Sequence, residues 1–191
     1  MSSQKLNQNE LNLLVDLARN SIREFLFQEN SPTPQVSKYP ETLAEPAGCF
    51  VTLKVSGRLQ GCLGTILPRK PLVEEVHEMA IAASHRDHRF SPLAKEQLPD
   101  LTVEVSVLTR PSELKVDSEK GLIDYLTINK AGVILSQGYH QALFLPQVWE
   151  QLPEPVDFLK HLKLKAGWQA DYWSDGMRVE IFEVISLEKD Y

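Results

Sequence analysis

Cys62 is the residue in this chain best suited to chemistry: a cysteine thiolate is a strong nucleophile, and Gly61 and Gly64 flank this one. Nearby backbone N–H groups or cations would lower its pKa. Glycines at 61 and 64 would let a ligand or an acyl oxyanion come close to the main chain. The same residue types also describe a small thiol on a tightly packed strand. Residue chemistry alone weighs toward a structural or ligand-lining role over a nucleophile. Cys49 is the other of the two cysteines. A turn at Ser56-Gly57 sets Val51 opposite Cys62, which places Cys49 diagonally on the same face. Diagonal separations of about 7–8 Å strain disulfide geometry, so two free thiols are expected.

Other candidates lie further along. His85 and His88, with Asp87 between them and His77 upstream, offer a general base or metal ligands. No standard third-ligand motif accompanies them, so no metal site is assigned, and a solvated helix end is the plainer reading. Arg86 and Arg89 could position a carboxylate or phosphate, or Arg89 could tie a carboxylate structurally. Glu104 sits between Val103 and Val105 and faces away from them. It is a half-exposed strand carboxylate, an ion-paired one with Arg89 or Arg58, or a catalytic acid-base. Gln147, after Pro146, presents an amide at the end of a hairpin or simply leaves the strand. Trp149, Trp168, Tyr172 and Trp173 could wall a ligand, with core packing weighing more.

The elements that must hold these residues follow from periodicity. Leu11, Leu14, Val15, Ala18, Ile22, Phe25 and Leu26 form one apolar stripe of a first helix, with Asn7 and Glu10 as its capping pair. Four prolines between Glu29 and Pro46 predict a surface connection, anchored by Tyr39 and Leu43, with room for a short helical turn. Gly48 to Leu67 reads as a hairpin about Ser56-Gly57, its second arm interrupted by glycines that signal a bulge or a close backbone approach. A helix starts at Pro71 and buries Leu72, Val76, Met79, Ala80 and Ala83, and His85 to Pro92 then leaves it across the surface.

Valines 103, 105 and 107 predict a strand from Leu101 to Leu108. Leu122, Ile123 and Leu126 predict a short helix after a Ser112 to Lys120 connection. Ala131 to Ser136 and His140 to Leu145 predict a hairpin around Gln137-Gly138. Pro155 starts a helix carrying Val156, Leu159 and Leu162, and Arg178 to Leu187 ends the chain as a strand. Helices and hairpins mixed without a regular strand-helix-strand period predict an α+β fold. Its sheet is mixed and largely antiparallel, its helices are packed, and a larger and a smaller lobe make one compact domain over 1–191, with a core of about 8–187.

Composition narrows the role. Twenty Lys and Arg against 26 Asp and Glu give a net charge of −6, which opposes general nucleic-acid or anionic-membrane binding. No run approaches the roughly 20 apolar residues of a membrane span. Met1 to Asn12 is polar, without a signal-peptide core. With so few cysteines, a cytoplasmic location is expected. No nucleotide fingerprint is present and no cofactor is specifically indicated.

Leu59-Gln60-Gly61-Cys62-Leu63-Gly64-Thr65 resembles the Leu-Arg-Gly-Cys-Ile-Gly-Thr hallmark of a known domain family. That family is named for the Alport syndrome, midface hypoplasia and elliptocytosis chromosomal region and is called AmmeMemoRadiSam system protein A in microbes. Gln60 departs from its usual arginine, which weakens any carried-over role resting on a guanidinium there. Gly48 to Leu53, Ala82 to Leu93, Glu104 to Thr109, Leu145 to Val148 and Lys165 to Trp168 resemble its other motifs in order. The resemblance implies an α+β domain with a larger and a smaller lobe and no generally established reaction. It also implies an association with a Memo-like protein and a radical S-adenosylmethionine protein in a modification pathway.

Two functions are therefore expected in competition. The absence of a complete catalytic signature favours a non-catalytic binding partner or adaptor. The alternative is an enzyme acting on a small molecule or modified substrate. In it Cys62 is the nucleophile or substrate-contacting thiol, His85 and Glu104 are catalytic partners, and Gly61, Gly64, Arg89 and Gln147 contact the ligand.

Overall fold

The apolar stripe that predicts the first helix forms α1, Gln8–Gln28. Its capping box is closed in both directions. The Asn7 N–H donates to Glu10 Oε2 at 2.8 Å, and the Glu10 N–H donates to Asn7 Oδ1 at 3.0 Å. Leu14, Val15, Ala18 and Ile22 are fully buried, each large aliphatic side chain contributing roughly 1.5–3 kcal/mol. In this computed structural model, residues 6–28 and 30–191 are described. Met1 to Lys5 of the polar N-terminal stretch, and Glu29 at the head of the proline-rich connection, lie outside the described residues.

The chain forms two compact units, one of the residues up to Thr109 with Ile185–Tyr191, the other of Arg110–Val184. In the first, the connection after α1 carries a 3-10 turn at Val36–Lys38 and a short helix α2, Glu41–Ala44. Leu43 is fully buried and Tyr39 packs against the same core. Then follow β1 (Cys49–Val55), β2 (Arg58–Thr65), α3 (Leu72–His85) and β3 (Leu101–Leu108). The β1–β2 turn holds Ser56 and Gly57 at φ of 49° and 75°, the left-handed pair a two-residue hairpin needs.

In the second unit β4 (Ser112–Glu113) and α4 (Glu119–Ile128) precede the hairpin β5 (Gly132–Gln137) and β6 (His140–Phe144). A 3-10 turn at Pro146–Glu150, helix α5 (Pro155–Lys165) and β7 (Arg178–Phe182) complete it. The final predicted strand is broken: β7 ends at Phe182, and β8, Val184–Asp190, returns to the first unit's sheet. The sheets are β2-β1-β3-β8 and β4-β7-β5-β6, so the single expected sheet is two, within the α+β architecture that the periodicity predicts. The pairs β1–β2 and β1–β3 in the first sheet, and β4–β7, β5–β6 and β5–β7 in the second, are antiparallel.

Each unit has its own core. In the first, α1 and α3 cover one face of the sheet, over Cys49, Val51, Leu53, Val103, Val105 and Val107. In the second, Val156 points outward at 60% exposure, and Phe158 takes the buried place instead, stacked on Trp149 at 3.7 Å. Helix α5 also buries Lys163, whose ammonium donates to Glu119 Oε1 at 2.6 Å. Among the described residues no helix is long and apolar enough to cross a membrane.

His77, a metal candidate by sequence, is a packing residue between α1 and α3. It is 4% exposed, and its Nδ1 shares a hydrogen bond with Ser21 Oγ at 2.9 Å. Burial lowers its pKa below the ordinary histidine value, against the weaker opposite pull of Glu78, Glu24 and Glu74. The folded state then binds fewer protons than the unfolded chain. Stability is full above about pH 6.5 and is lost as pH falls below it. Burial also lowers the His85 pKa, so the two add. Urea unfolding should give a lower midpoint at about pH 5.5 than at about pH 7.5, and His77→Asn should reduce that difference. Equal pH dependence in both proteins would remove His77 as its source.

Candidate functional site

The position of Cys62 is set by a one-residue bulge. From the turn, Val55 pairs with Arg58 and Lys54 with Leu59, but Leu53 then pairs with Gly61, leaving Gln60 unopposed. A continuous register would put Gln60 opposite Leu53, on the helix-covered face. The backbone carbonyl of Ala83 fills that place: a Cβ on Gly61 would lie 2.1 Å from it. Only glycine fits beneath α3 there, and the bulge delivers glycine to that spot.

The bulge overturns the expected pairing of Val51 with Cys62. Val51 faces Leu63, and Thr52 faces Cys62. Cys62 therefore lies on the sheet face opposite the core, and Cys49 lies in the core, fully buried. Both cysteines are free. Burial, reinforced by Glu75, pushes the Cys49 thiol up to about 12, whereas Cys62 is half-buried.

Opposite the core, the row Cys62, Thr52, Glu104 runs across β2, β1 and β3. The Thr52 hydroxyl donates to Cys62 Sγ at 3.2 Å. Glu104 pairs with Lys54 at 3.7 Å and accepts from Ser106 Oγ at 3.1 Å. The expected arginine partners are thus replaced by a lysine on the neighbouring strand, and the Glu104 side chain keeps 27% exposure. Gly64 also lies in this outward register, but the Phe50 ring and the Cys49 carbonyl fill the space beside it. The space a side chain would take at each glycine is occupied by the protein itself.

The segment after α3 does not simply cross the surface. It folds onto the edge of β2 through Asp87 and Arg89. The Cys62 N–H donates to Asp87 Oδ2 at 2.9 Å, and the Arg89 guanidinium donates to the Cys62 carbonyl at 3.1 Å. Arg89 also donates through Nε to Asp87 Oδ1 at 2.9 Å and through Nη2 to Oδ2 at 2.7 Å. Asp87 has 4% side-chain exposure and accepts a further bond from the Arg89 N–H at 3.2 Å. Hydrogen bonds from Arg89 and then from the Cys62 N–H hold its carboxyl far below the usual carboxylate range. Gln60, at the bulge, donates to the Ser91 carbonyl at 2.7 Å.

Asp87, which the sequence offers between two histidines and within the Ala82 to Leu93 motif, is the residue that joins this loop to the strand edge. Its signal was present: an acid two residues before an arginine, just past a helix end. Arg89 is brought to Cys62 as a structural guanidinium, its Nε and Nη2 turned to Asp87. His85 ends α3 with its ring edge-on to Phe25 at 4.5 Å and its Nδ1 sharing a hydrogen bond with Ser84 Oγ at 2.5 Å, so its polar contact is with its own helix rather than with the sulfur. Arg86 and His88 are exposed. Gln147 is exposed in the second unit. There Trp149 donates to the Ala131 carbonyl at 2.9 Å, while Trp168 stacks on Tyr172 at 5.7 Å. Among the described residues no group of three His, Cys, Asp or Glu side chains is placed to hold a metal ion.

Two measurements follow from this geometry. Gly61→Ala should lower unfolding stability by about 1–3 kcal/mol, because β2 or α3 must shift to admit the methyl group; an unchanged urea midpoint would refute the close approach. Titration of the native protein with a thiol reagent at about pH 8 should modify Cys62 quickly and leave Cys49 unmodified until unfolding. Two equally fast thiols would contradict the register.

Comparison with known proteins finds relatives over most of the chain. The chain is 40% identical over 172 residues to Protein Mbar_A1807 of Methanosarcina barkeri, covering 88% of this chain and 85% of that one. It is 38% identical to Protein MK0488 of Methanopyrus kandleri, covering 98% and 92%. The crystal structure of uncharacterized protein PH0010 from Pyrococcus horikoshii matches with a TM-score of 0.75 at 32% identity, over 98% of this chain and 95% of that one. The family described as AMMECR1 matches residues 15–187. With that match over most of its length, and the Gly61-Cys62-Leu63-Gly64 segment at the centre of its first sheet's edge, the chain belongs to the AMMECR1 family.

Proposed function

We propose that the chain is a non-catalytic binding partner, an adaptor in a modification pathway, whose contact surface is the sheet face carrying Cys62, Thr52 and Glu104. The engagement of Cys62 carries this reading. Its sulfur takes a hydrogen bond from Thr52, its N–H is held by Asp87 and its carbonyl by Arg89. A nucleophilic cysteine needs a base to take its proton and donors aimed at the developing oxyanion. Here the group on the sulfur is a hydroxyl donor, and the residue's own N–H is spent on a carboxylate. A fixed backbone with a half-exposed thiol suits recognition, because little ordering is left for a partner to impose.

Apolar side chains border the same strand. Leu59 is 44% exposed, and Ile66 and Leu67, just beyond β2, are 38% and 71% exposed. Such a border beside the polar Cys62–Thr52–Glu104 row supports a protein contact over a small-molecule pocket. The partners proposed are a Memo-like protein and a radical S-adenosylmethionine protein, on the family resemblance of the sequence motifs.

The test is affinity capture with the purified chain against those two partner proteins. Thr52→Arg, which places a long cation on the outer face, should reduce capture at least tenfold. Cys62→Ser should keep most of it. Turnover of a small molecule that disappears in Cys62→Ser, with no capture of either partner, would sink the adaptor reading in favour of thiol chemistry.

A further inference from the structure

We propose that the Asp87–Arg89 pair is an edge guard: it takes the place of a neighbouring strand at Cys62 and keeps β2 from pairing with the β2 of a second copy of the chain. Strand β2 is the terminal strand of its sheet. Its residues point their N–H and C=O groups alternately to β1 and outward, and at Cys62 both groups point outward. A fifth strand would offer one acceptor to that N–H and one donor to that carbonyl. The carboxylate of Asp87 and the guanidinium of Arg89 supply the same two partners, at 2.9 and 3.1 Å.

The strand needs such protection. Exposed edges are commonly blunted by charge, proline, a bulge or a covering loop. From Leu59 to Leu67 there is no charged residue and no proline, and Leu59, Ile66 and Leu67 are exposed. Apart from the exposed Arg58 at its start, the bulge at Gln60 and the loop clip at Cys62, reinforced by the bond from Gln60 to the Ser91 carbonyl, are the devices this edge has.

A second copy is the occupant that the exposed groups match. The N–H and C=O released at Cys62 are one donor and one acceptor on a single residue. Antiparallel pairing of two β2 strands about a two-fold axis at Cys62 satisfies both reciprocally. The uncharged stretch on either side brings no like charges together across that axis.

The test is sedimentation of the full chain across a range of concentrations, with circular dichroism reporting the fold. Asp87→Ala, which removes the acceptor and releases Arg89, should tighten self-association at least tenfold relative to the parent. Adding Leu59→Lys, a charge on the exposed edge, should reverse it. Hydrogen exchange at the Cys62 amide should be fast in dilute Asp87→Ala and slow in the associated form. A folded Asp87→Ala that sediments like the parent overturns the proposal, as does association that Leu59→Lys leaves intact. Should Asp87→Ala fail to fold, Arg89→Ala, at a side chain 60% exposed, frees the carbonyl alone. It should tighten association about threefold, and a folded Arg89→Ala without that change overturns the proposal equally.

Discussion

The close approach of Ala83 to Gly61 is the constraint on which the first unit's sheet edge depends. A backbone carbonyl of α3 sits where any other residue would place its Cβ. The strand can meet that demand only by skipping Gln60 out of register. Every consequence of interest follows from that slip. Cys62 turns away from the core, Thr52 becomes its partner, and the Cys62 main-chain groups turn outward to the loop after α3. A single helix–strand contact thus decides the face of the thiol.

Asp87 converts that placement into a fixed geometry. It is buried, ionised and surrounded by donors from Arg89 and Cys62. Burial of a carboxylate is tolerable because each oxygen has partners and the guanidinium supplies the opposite charge. Helix end, loop and strand edge are joined at one side chain, so the loop cannot shift without releasing the cysteine backbone.

Much of the fold was readable in the residues because the signals were local. The Asn7–Glu10 cap, the alternation through Val103, Val105 and Val107 and the Ser56-Gly57 turn each formed as their chemistry requires. The errors arose where tertiary packing chose between local options. Glycines at 61 and 64 announced a bulge, but its position depended on Ala83, which no strand pattern reveals. Val156 was expected on the buried side of α5, but the stack on Trp149 gives that place to Phe158. The strand predicted from Arg178 to Leu187 has one alternation and two destinations. Within the site, Cys62, Arg89 and Glu104 were visible as residue types, while the clip through Asp87 required the fold to bring a loop beside a strand 25 residues away.

The break between β7 and β8 has an architectural consequence. Strand β8 lies beside β3, and the Tyr191 N–H donates to the Leu101 carbonyl. The far end of β8 therefore meets the beginning of β3, and the chain leaves β3 and re-enters at β8 about one strand spacing apart, roughly 5 Å. Residues 109–183 are spliced between two adjacent strands like a cassette. A short hairpin linker in their place would have the same two adjacent strand ends to join.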